Sequence, residues 1–426
     1  MKRVLVVAYF YPPVAGGGVY RTLGFVRHLP SFGFEPVVLT GAGSAPWVSD
    51  PGLRTGASSV EVIRAAGGAT ATAMLGGGAS RPAWMSALAR AAPWVTIPDA
   101  YAGWHRAAVR AGLARIGRGE IDAIYSTSPP DTDHLVALDL HRRTGLPWLA
   151  DFRDPWIGLS YRKPPTAWHR AAHERMLRAV LSEASRVVAA TDGTARWLAS
   201  AASGVEQVPG VARSAAVPAA PRINVVPNGF EAEEWIGITP RRFDRFTLLH
   251  AGRLSGERTL QPFLDGLALF FGRDPSRRTE MQCLLLGPHD EAQARLVQRT
   301  GWSDVVRFVG QTAHAETLAM EAGADVLLLI QSGEPEFRGL VPGKLYEYMG
   351  AERPVIAIAA EGPAADLVRR LGMGWVSSPD APERIADSLD AAWAGSFKPR
   401  HAAADRAPFT RRTLAGELAR VLAEIA

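Results

Sequence analysis

A single cysteine in 426 residues, Cys283, excludes an internal disulfide and a thiolate metal cluster. It sits in the apolar run Cys283-Leu284-Leu285-Leu286, which points to a buried thiol and a reducing cytoplasm. No uninterrupted apolar stretch reaches roughly 18 residues, so no transmembrane helix is expected. The apolar run Val4-Leu5-Val6-Val7-Ala8 is followed by Pro12-Pro13 and Gly16-Gly17-Gly18, so the N-terminus reads as a buried first strand and not as an export signal. The G-x-G-x-x-G fingerprint is missing, and the second strand closes on Thr40-Gly41 instead of an acid, which disfavours a nicotinamide cofactor. No Asp/Glu/His group has metal-ligand spacing, and no compact basic and aromatic strand motif of the RNA-binding kind occurs. Neither a bound metal nor nucleic acid is expected.

What is present is an ordinary globular composition, 47% hydrophobic and 21% charged, on a chain too long for one core. Two domains follow. The net charge of +5 divides unevenly, with 24 Lys/Arg against 15 Asp/Glu over residues 1–230 and 23 against 27 over 231–426, or +9 and −4. A basic half attracts phosphorylated ligands, nucleic acid or an anionic membrane, and composition does not choose among them.

Strand-like runs alternate with amphipathic segments. In the first half they are Val4–Ala8, Pro36–Leu39, Val60–Arg64, Ala123–Ser126, Trp148–Ala150, Val187–Ala190 and Asn224–Val226. The second half restarts with Thr247–His250, Cys283–Leu286, Val306–Val309, Val326–Ile330, Val355–Ile358 and Gly374–Val376. Such alternation predicts βαβ units and two parallel sheets. Ligands of open parallel sheets bind beyond the carboxyl ends of the strands, so two facing sheets would place the site in a cleft between them. Residues 65–80, rich in Gly, Ala and Thr, read as a mobile loop. Residues 81–118 carry six arginines against the single acid Asp99, with Trp84, Trp94 and Trp104 interleaved. This is the pattern of a helix lying on an anionic membrane, or of an Ala-rich helical layer with its arginines in water.

Two motifs carry chemistry. Gly16-Gly17-Gly18 after the first strand lets backbone amides approach an anion at a helix N-terminus, or makes a plain tight turn. The stretch Gly339-Leu340-Val341-Pro342-Gly343-Lys344-Leu345-Tyr346-Glu347-Tyr348-Met349-Gly350-Ala351-Glu352-Arg353-Pro354-Val355 reads as a Gly-containing loop, a helix and a buried strand. Here the sequence resembles the retaining glycosyltransferase family 4, in a bacterial polysaccharide-type branch, and the likeness runs over nearly the whole chain. Ala251-Gly252-Arg253-Leu254-Ser255-Gly256-Glu257-Arg258, Tyr125-Ser126-Thr127-Ser128-Pro129-Pro130 and Trp148-Leu149-Ala150-Asp151-Phe152-Arg153-Asp154-Pro155-Trp156 also match it.

The resemblance implies an α/β protein of GT-B type, two Rossmann-like domains facing each other across a cleft. Residues 1–230 would form the acceptor domain, 231–245 a linker and 246–405 the donor domain, with a C-terminal helix over 406–426 expected to pack back toward the first domain. It implies transfer of a sugar from a nucleotide-diphosphate sugar, UDP-sugar being the commonest donor, to a glycan, lipid-linked or metabolite acceptor. Retention, no metal and no other cofactor are implied as well. Arg253 and Arg258 would grip the diphosphate and Glu347 the ribose, with Gly16, Gly17, Gly18, Leu340, Val341 and Lys344 lining the donor site. Asp154 would orient the acceptor hydroxyl, with Arg21, Asp151 and Arg153 around the acceptor; the alternative for the Asp/Arg residues is an internal pair holding the loop.

Gly339 stands where the family signature has its first glutamate, the one that contacts the donor sugar, and Glu336 is either its substitute or a solvent-facing loop carboxylate. Asp131-Thr132-Asp133 has the form of a D-x-D metal motif but follows Ser-Pro-Pro, where acids at a helix start offset the helix dipole. The scattered histidines, His134 and His250 among them, read as structural or cleft-lining. The rival readings are a GT-B nucleotide-sugar 2-epimerase and a catalytically silent nucleotide-sugar-binding protein. The expected location is the cytoplasm, with peripheral contact at the inner membrane face through residues 81–118.

Overall fold

Short, mostly apolar runs buried on both faces form the central strands, as expected of parallel sheets covered by helices on each side, while the edge strands are partly exposed. The computed structural model describes residues 1–14, 17–42, 60–68, 94–159, 162–203, 223–254, 258–397 and 403–426. Gly16, residues 69–80 of the Gly-rich segment, and Arg81, Trp84 and Arg90 lie outside them. The chain divides into two compact units, Met1–Asn228 with Arg411–Ala426, and Gly229–Thr410.

Unit 1 holds seven parallel strands: β1 (Lys2–Val7), β2 (Phe34–Gly41), β3 (Glu61–Ala65), β4 (Ala123–Ser128), β5 (Trp148–Phe152), β6 (Arg186–Ala189) and β7 (Ile223–Val225). Their order is β3-β2-β1-β4-β5-β6-β7, with the direction of winding changing between β1 and β4. Helices α1 (Gly17–His28), α2 (His105–Ile116), α3 (Thr132–Thr144), α4 (Ala167–Glu183) and α5 (Asp192–Ala202) cover the sheet. One face packs Trp104, Val109, Val136, Leu140 and Leu177 against the strands. The other packs Leu23 and Val26 of α1 together with Leu414, Leu418 and Leu422 from the C-terminal end of the chain.

Unit 2 holds six parallel strands: β8 (Phe246–Ala251), β9 (Met281–Leu286), β10 (Val306–Gly310), β11 (Val326–Ile330), β12 (Val355–Ile358) and β13 (Gly374–Ser377). The order is β10-β9-β8-β11-β12-β13, with the switch between β8 and β11. Its helices are α6 (Gln261–Arg273), α7 (Glu291–Arg299), α8 (His314–Gly323), α9 (Gly343–Ala351), α10 (Pro363–Arg370) and α11 (Pro382–Trp393). Residues 231–245, expected as a linker, lie in this unit, where Arg241 donates its backbone N–H to the Ala319 carbonyl at 2.8 Å. The last helix, α12 (Arg411–Ala423), belongs to unit 1 and packs on α1.

Arg106, Arg110 and Arg118 are exposed, as in a helical layer with its arginines in water, and Asp131 and Asp133 do stand at a helix start, but two local details differ from the simplest reading. In residues 81–118, Trp104 is fully buried and donates its indole N–H to the Ala65 carbonyl at 3.1 Å. Arg115 is also buried, paired with Glu61 at 2.9 Å and bonded to the Gly119 carbonyl. An Ala-rich helix has little apolar contrast to say which side its neighbours cover, and here they cover the side of Trp104 and Arg115. At the start of α3 the orphan amide of Thr132 is satisfied by Asp99, whose carboxylate also takes the Thr132 hydroxyl at 2.7 Å. Asp131 and Asp133 turn inward instead: Asp131 pairs with Arg162, and Asp133 accepts the Tyr9 amide at 3.0 Å.

Candidate active site

The carboxyl end of β8 and the first turn of α9 bring the unit 2 candidates together. His250, the penultimate residue of β8, bonds the Leu328 carbonyl of β11 through Nδ1 at 2.9 Å. A carbonyl only accepts, so Nδ1 carries the proton and Nε2 is left as an acceptor. The Lys344 ammonium meets that Nε2 at 2.8 Å. Tyr348, one turn further along α9, receives the Ala251 amide at 3.0 Å and donates to the same Leu328 carbonyl at 3.2 Å. The helix is thereby stitched to the two strands at the switch point, where open sheets bind ligands.

Gly252 lies in this angle with φ of +127°, and a Cβ there would stand 2.8 Å from Lys344 Nζ. The position requires glycine twice over, for its backbone and for the lysine's path. Arg253 follows it, exposed, and Arg258 lies half-buried within electrostatic reach of both Arg253 and Lys344. Burial, and then the Arg258 guanidinium, push Lys344 well below the usual lysine range, with Glu347 and Glu321 pulling the other way. Burial and the lysine together drive His250 well down, so the imidazole is neutral. Glu321 of α8 is fully buried, and neither of its carboxylate oxygens has a hydrogen-bond partner among the described residues. Burial first, and then Glu347, raise its carboxyl well above the ordinary range, so it is protonated. Arg253, Arg258 and the Lys344 amine thus converge with a half-buried Glu347, an arrangement that can neutralise a diphosphate while a carboxylate accepts hydroxyl hydrogen bonds.

The loop before α9 is held by Gln331 at the end of β11, whose amide donates to the carbonyls of Phe337 at 2.9 Å and Leu340 at 3.1 Å. Gly339, Leu340 and Val341 are half-buried beside it, and Glu336 is half-buried in the short 3-10 turn before them.

In unit 1 the candidates are more deeply committed to each other. Asp151, on β5, is completely buried and accepts from Arg21 at 2.8 and 2.9 Å, from Tyr125 at 2.6 Å and from Thr127 at 2.9 Å. Burial alone would raise this carboxyl; Arg21, together with the Tyr125 hydroxyl and Arg153, outweighs it and holds the group below the ordinary aspartate range. Arg21 also donates to the carbonyls of Val226 and Pro227 at 2.8 Å, tying α1 to the end of the unit. Arg21 and Asp151, expected around the acceptor, therefore form an internal clamp. Arg153 donates to three carbonyls, those of Ser128, Gly18 and Pro129. A Cβ on Gly18 would stand 2.8 Å from its Nη1, so this glycine makes room for a guanidinium. Gly17 begins α1. Asp154 is half-buried, with Arg153 and Asp131 in its electrostatic surroundings.

Around these residues lie two groups that the sequence placed at a helix start or among the structural histidines. Burial pushes the Asp131 carboxyl up to about 8 even beside Arg162. His134, fully buried, bonds Ser126 Oγ through Nδ1 at 2.8 Å, and burial pulls it down to about 3. The only available sequence signal for His250 was its place in a strand directly before the Gly-Arg motif. For Glu321 there was none.

Residues 245–394, most of unit 2, match the family model described as Glycosyl transferases group 1. No curated protein matches the chain. Among solved structures, it is similar to HepE of Anabaena in complex with UDP-glucose, with a TM-score of 0.63 and 16% identity over 100% of both chains. It is similar to sucrose-phosphate synthase from Thermosynechococcus elongatus, at 0.60 and 17% over 100% of this chain and 95% of that one. The lipopolysaccharide outer core galactosyltransferase WaaB gives 0.57 and 16%, over 100% and 99%. These likenesses show the fold: GT-B, with two parallel sheets each flanked by helices.

Proposed function

We propose that the chain is a glycosyltransferase that moves a sugar from a nucleotide-diphosphate donor to a hydroxyl of a glycan, glycolipid or metabolite acceptor, with retention and without a metal. The observation that carries this reading is the convergence of Arg253, Arg258, Lys344 and Glu347 at the carboxyl end of β8 and the start of α9. The family match over residues 245–394 covers all four, and the similar HepE structures hold UDP, UDP with glucose, or UDP-glucose, which favours UDP as the base-bearing half of the donor.

Glu347 takes the ribose hydroxyls. Arg253, Arg258, Lys344 and the backbone of Leu340 and Val341 take the diphosphate. As the bond from the anomeric carbon to the phosphate oxygen breaks, charge gathers on the departing diphosphate. Cations already in place stabilise that charge without reorganising solvent, and they substitute for a divalent ion. The acceptor oxygen forms the new bond to the same carbon, and its proton passes to the leaving phosphate. Unit 1 takes the acceptor, with Asp154 orienting its hydroxyl and Arg153 and Gly18 shaping the wall beside it. Gly17 and Gly18 also keep the start of α1 open to an anionic group. Gly339 leaves the donor sugar without the signature's first carboxylate, and Glu336 takes that place. The enzyme works in the cytoplasm at the inner membrane face on a lipid-linked saccharide.

The test is calorimetric titration with UDP-, GDP- and ADP-sugars, followed by transfer of labelled sugar to lipid-linked and free saccharides. Interconversion of the nucleotide sugar with no acceptor present would replace this reading by a 2-epimerase. Tight binding with no turnover on any acceptor would replace it by a silent binding protein.

A further inference from the structure

Burying a tryptophan is among the largest single gains available to a fold, yet among the described residues of unit 1 two of them stand outside it. Trp94 is 57% exposed, Val95 beside it 76%, and Trp168 in the first turn of α4 67%. They are not scattered. His169, itself buried, stands between them, its ring 6.0 Å from that of Trp94 and 4.9 Å from that of Trp168. Its Nε2 bonds the Trp94 carbonyl at 3.2 Å and its Nδ1 bonds Thr166 Oγ1 at 2.8 Å. The imidazole thus fixes two chain segments 75 positions apart so that their indoles emerge together. Single exposed apolar residues are normal, whereas a clustered, pinned group marks an interaction surface.

The exposed charge on the adjoining helix is basic. On α4 the exposed residues Trp168, Ala171, Arg175, Arg178 and Ser182 fall on one helical stripe, opposite the buried His169, Leu177 and Val180. Lys163, in the segment leading into the helix, is also exposed. Of the acids of the helix, Glu183 is bonded twice by Arg142, and Glu174 is half-buried, which leaves Arg175 and Arg178 as the exposed charges of the stripe. A hydrophobic protein partner would favour neutral or mixed charge around the indoles. Tryptophan with arginine and lysine is instead the composition that partitions into a bilayer interface, where the indole N–H stays at the headgroup level and the cations meet lipid phosphates.

We infer that Trp94, Val95 and Trp168, together with the Arg175–Arg178 stripe of α4, form a docking surface for the interface of an anionic phospholipid bilayer. This deepens the reading of a membrane-borne acceptor and rests on it for its purpose. It also moves the contact: within residues 94–118, Trp104 and Arg115 are turned into the core, and the partner of Trp94 is α4.

The experiment is flotation of the full chain with phosphatidylglycerol-containing vesicles and with pure phosphatidylcholine vesicles, at low and high salt. Wild type should float with the anionic vesicles at low salt only. Arg175→Gln/Arg178→Gln should weaken binding by about fivefold for each charge removed, and Trp94→Ala/Trp168→Ala should abolish flotation. Both variants should keep the circular dichroism and melting behaviour of the wild type, because the altered side chains are exposed. Nucleotide-sugar binding, followed by calorimetry in the same proteins, should not change, since none of the four residues belongs to the donor site. Wild type that fails to float, or both variants floating as wild type does, overturns the surface. So does a wild-type dimer in solution that becomes monomeric in the tryptophan variant without any vesicle binding. Loss of donor binding in wild type with flotation intact would sink the catalytic reading and leave the surface standing.

Discussion

The guanidinium of Arg153 lies where a side chain on Gly18 would have to go. Nη1 donates to the Gly18 carbonyl at 2.6 Å, and an added Cβ would stand 2.8 Å from that nitrogen. The end of β5 is thereby locked onto the first turn of α1, and the glycine motif serves the architecture of unit 1 as well as any ligand. Gly18→Ala should therefore cost about 1 to 3 kcal/mol of stability, the usual loss when charged hydrogen bonds are displaced. In an Arg153→Met background the same change should cost much less, because no guanidinium is left to displace. Urea melts of the four proteins of this cycle check it; equal costs in both backgrounds would show that the two residues are not coupled.

Glu347→Ala should weaken nucleotide-sugar binding by about 1 to 3 kcal/mol, while Glu347→Gln, which keeps a hydrogen-bonding group, should lose less. Calorimetry with the nucleotide alone and with the nucleotide sugar separates ribose contacts from sugar contacts. Undiminished affinity for the nucleotide in a folded Glu347→Ala protein would remove the ribose assignment.

Arg253→Ala and Arg258→Ala should reduce kcat more than they raise KM, because charge on the leaving diphosphate is greatest in the transition state. Turnover should also survive EDTA. Activity lost on chelation and restored by Mn²⁺ or Mg²⁺ would transfer the electrostatic role from the arginines to an ion.

Donor affinity should depend on pH through Lys344. In the empty site its pKa is depressed by burial and by Arg258. A bound diphosphate would raise that pKa, so binding takes up a proton once the pH exceeds the empty-site value. Affinity should consequently fall as pH rises from there toward the ordinary lysine range near about 10.4. Calorimetry in buffers of different ionisation enthalpy measures the proton uptake, and Lys344→Met should abolish the slope along with part of the affinity. A slope unchanged in Lys344→Met would assign the proton to another group.

Unit 1 should lose stability in acid because of His134. Its folded pKa, about 3, lies below the ordinary 6.5, so the unfolded chain binds the extra proton between those limits. Stability is retained above that window and falls as pH drops through it, by up to about 1.4 kcal/mol per pH unit from this group. His134→Gln should flatten that part of the profile in denaturant melts at successive pH values.

The sequence alone determined the secondary structure and its sheet type, because strands buried on both faces must be apolar throughout. Val326–Ile330 is apolar and buried at all five positions, and its shortness favours a central parallel strand over a buried helix. It also determined that Lys344 and Glu347 share one side of α9, because residues three apart on a helix are neighbours. Which groups they meet was decided by tertiary structure. His250 is 94 positions from Lys344, and Arg21 is 130 from Asp151. Such pairs arise from the order in which the strands are laid down, and a buried charge is stable only beside the partner that this order brings to it. The same holds for Asp99, which caps α3 from 33 positions away while the acids adjacent in sequence turn inward, and for Trp104 and Trp94. These two indoles are ten residues apart, and packing against β3 and the adjoining helices buries one and leaves the other in water.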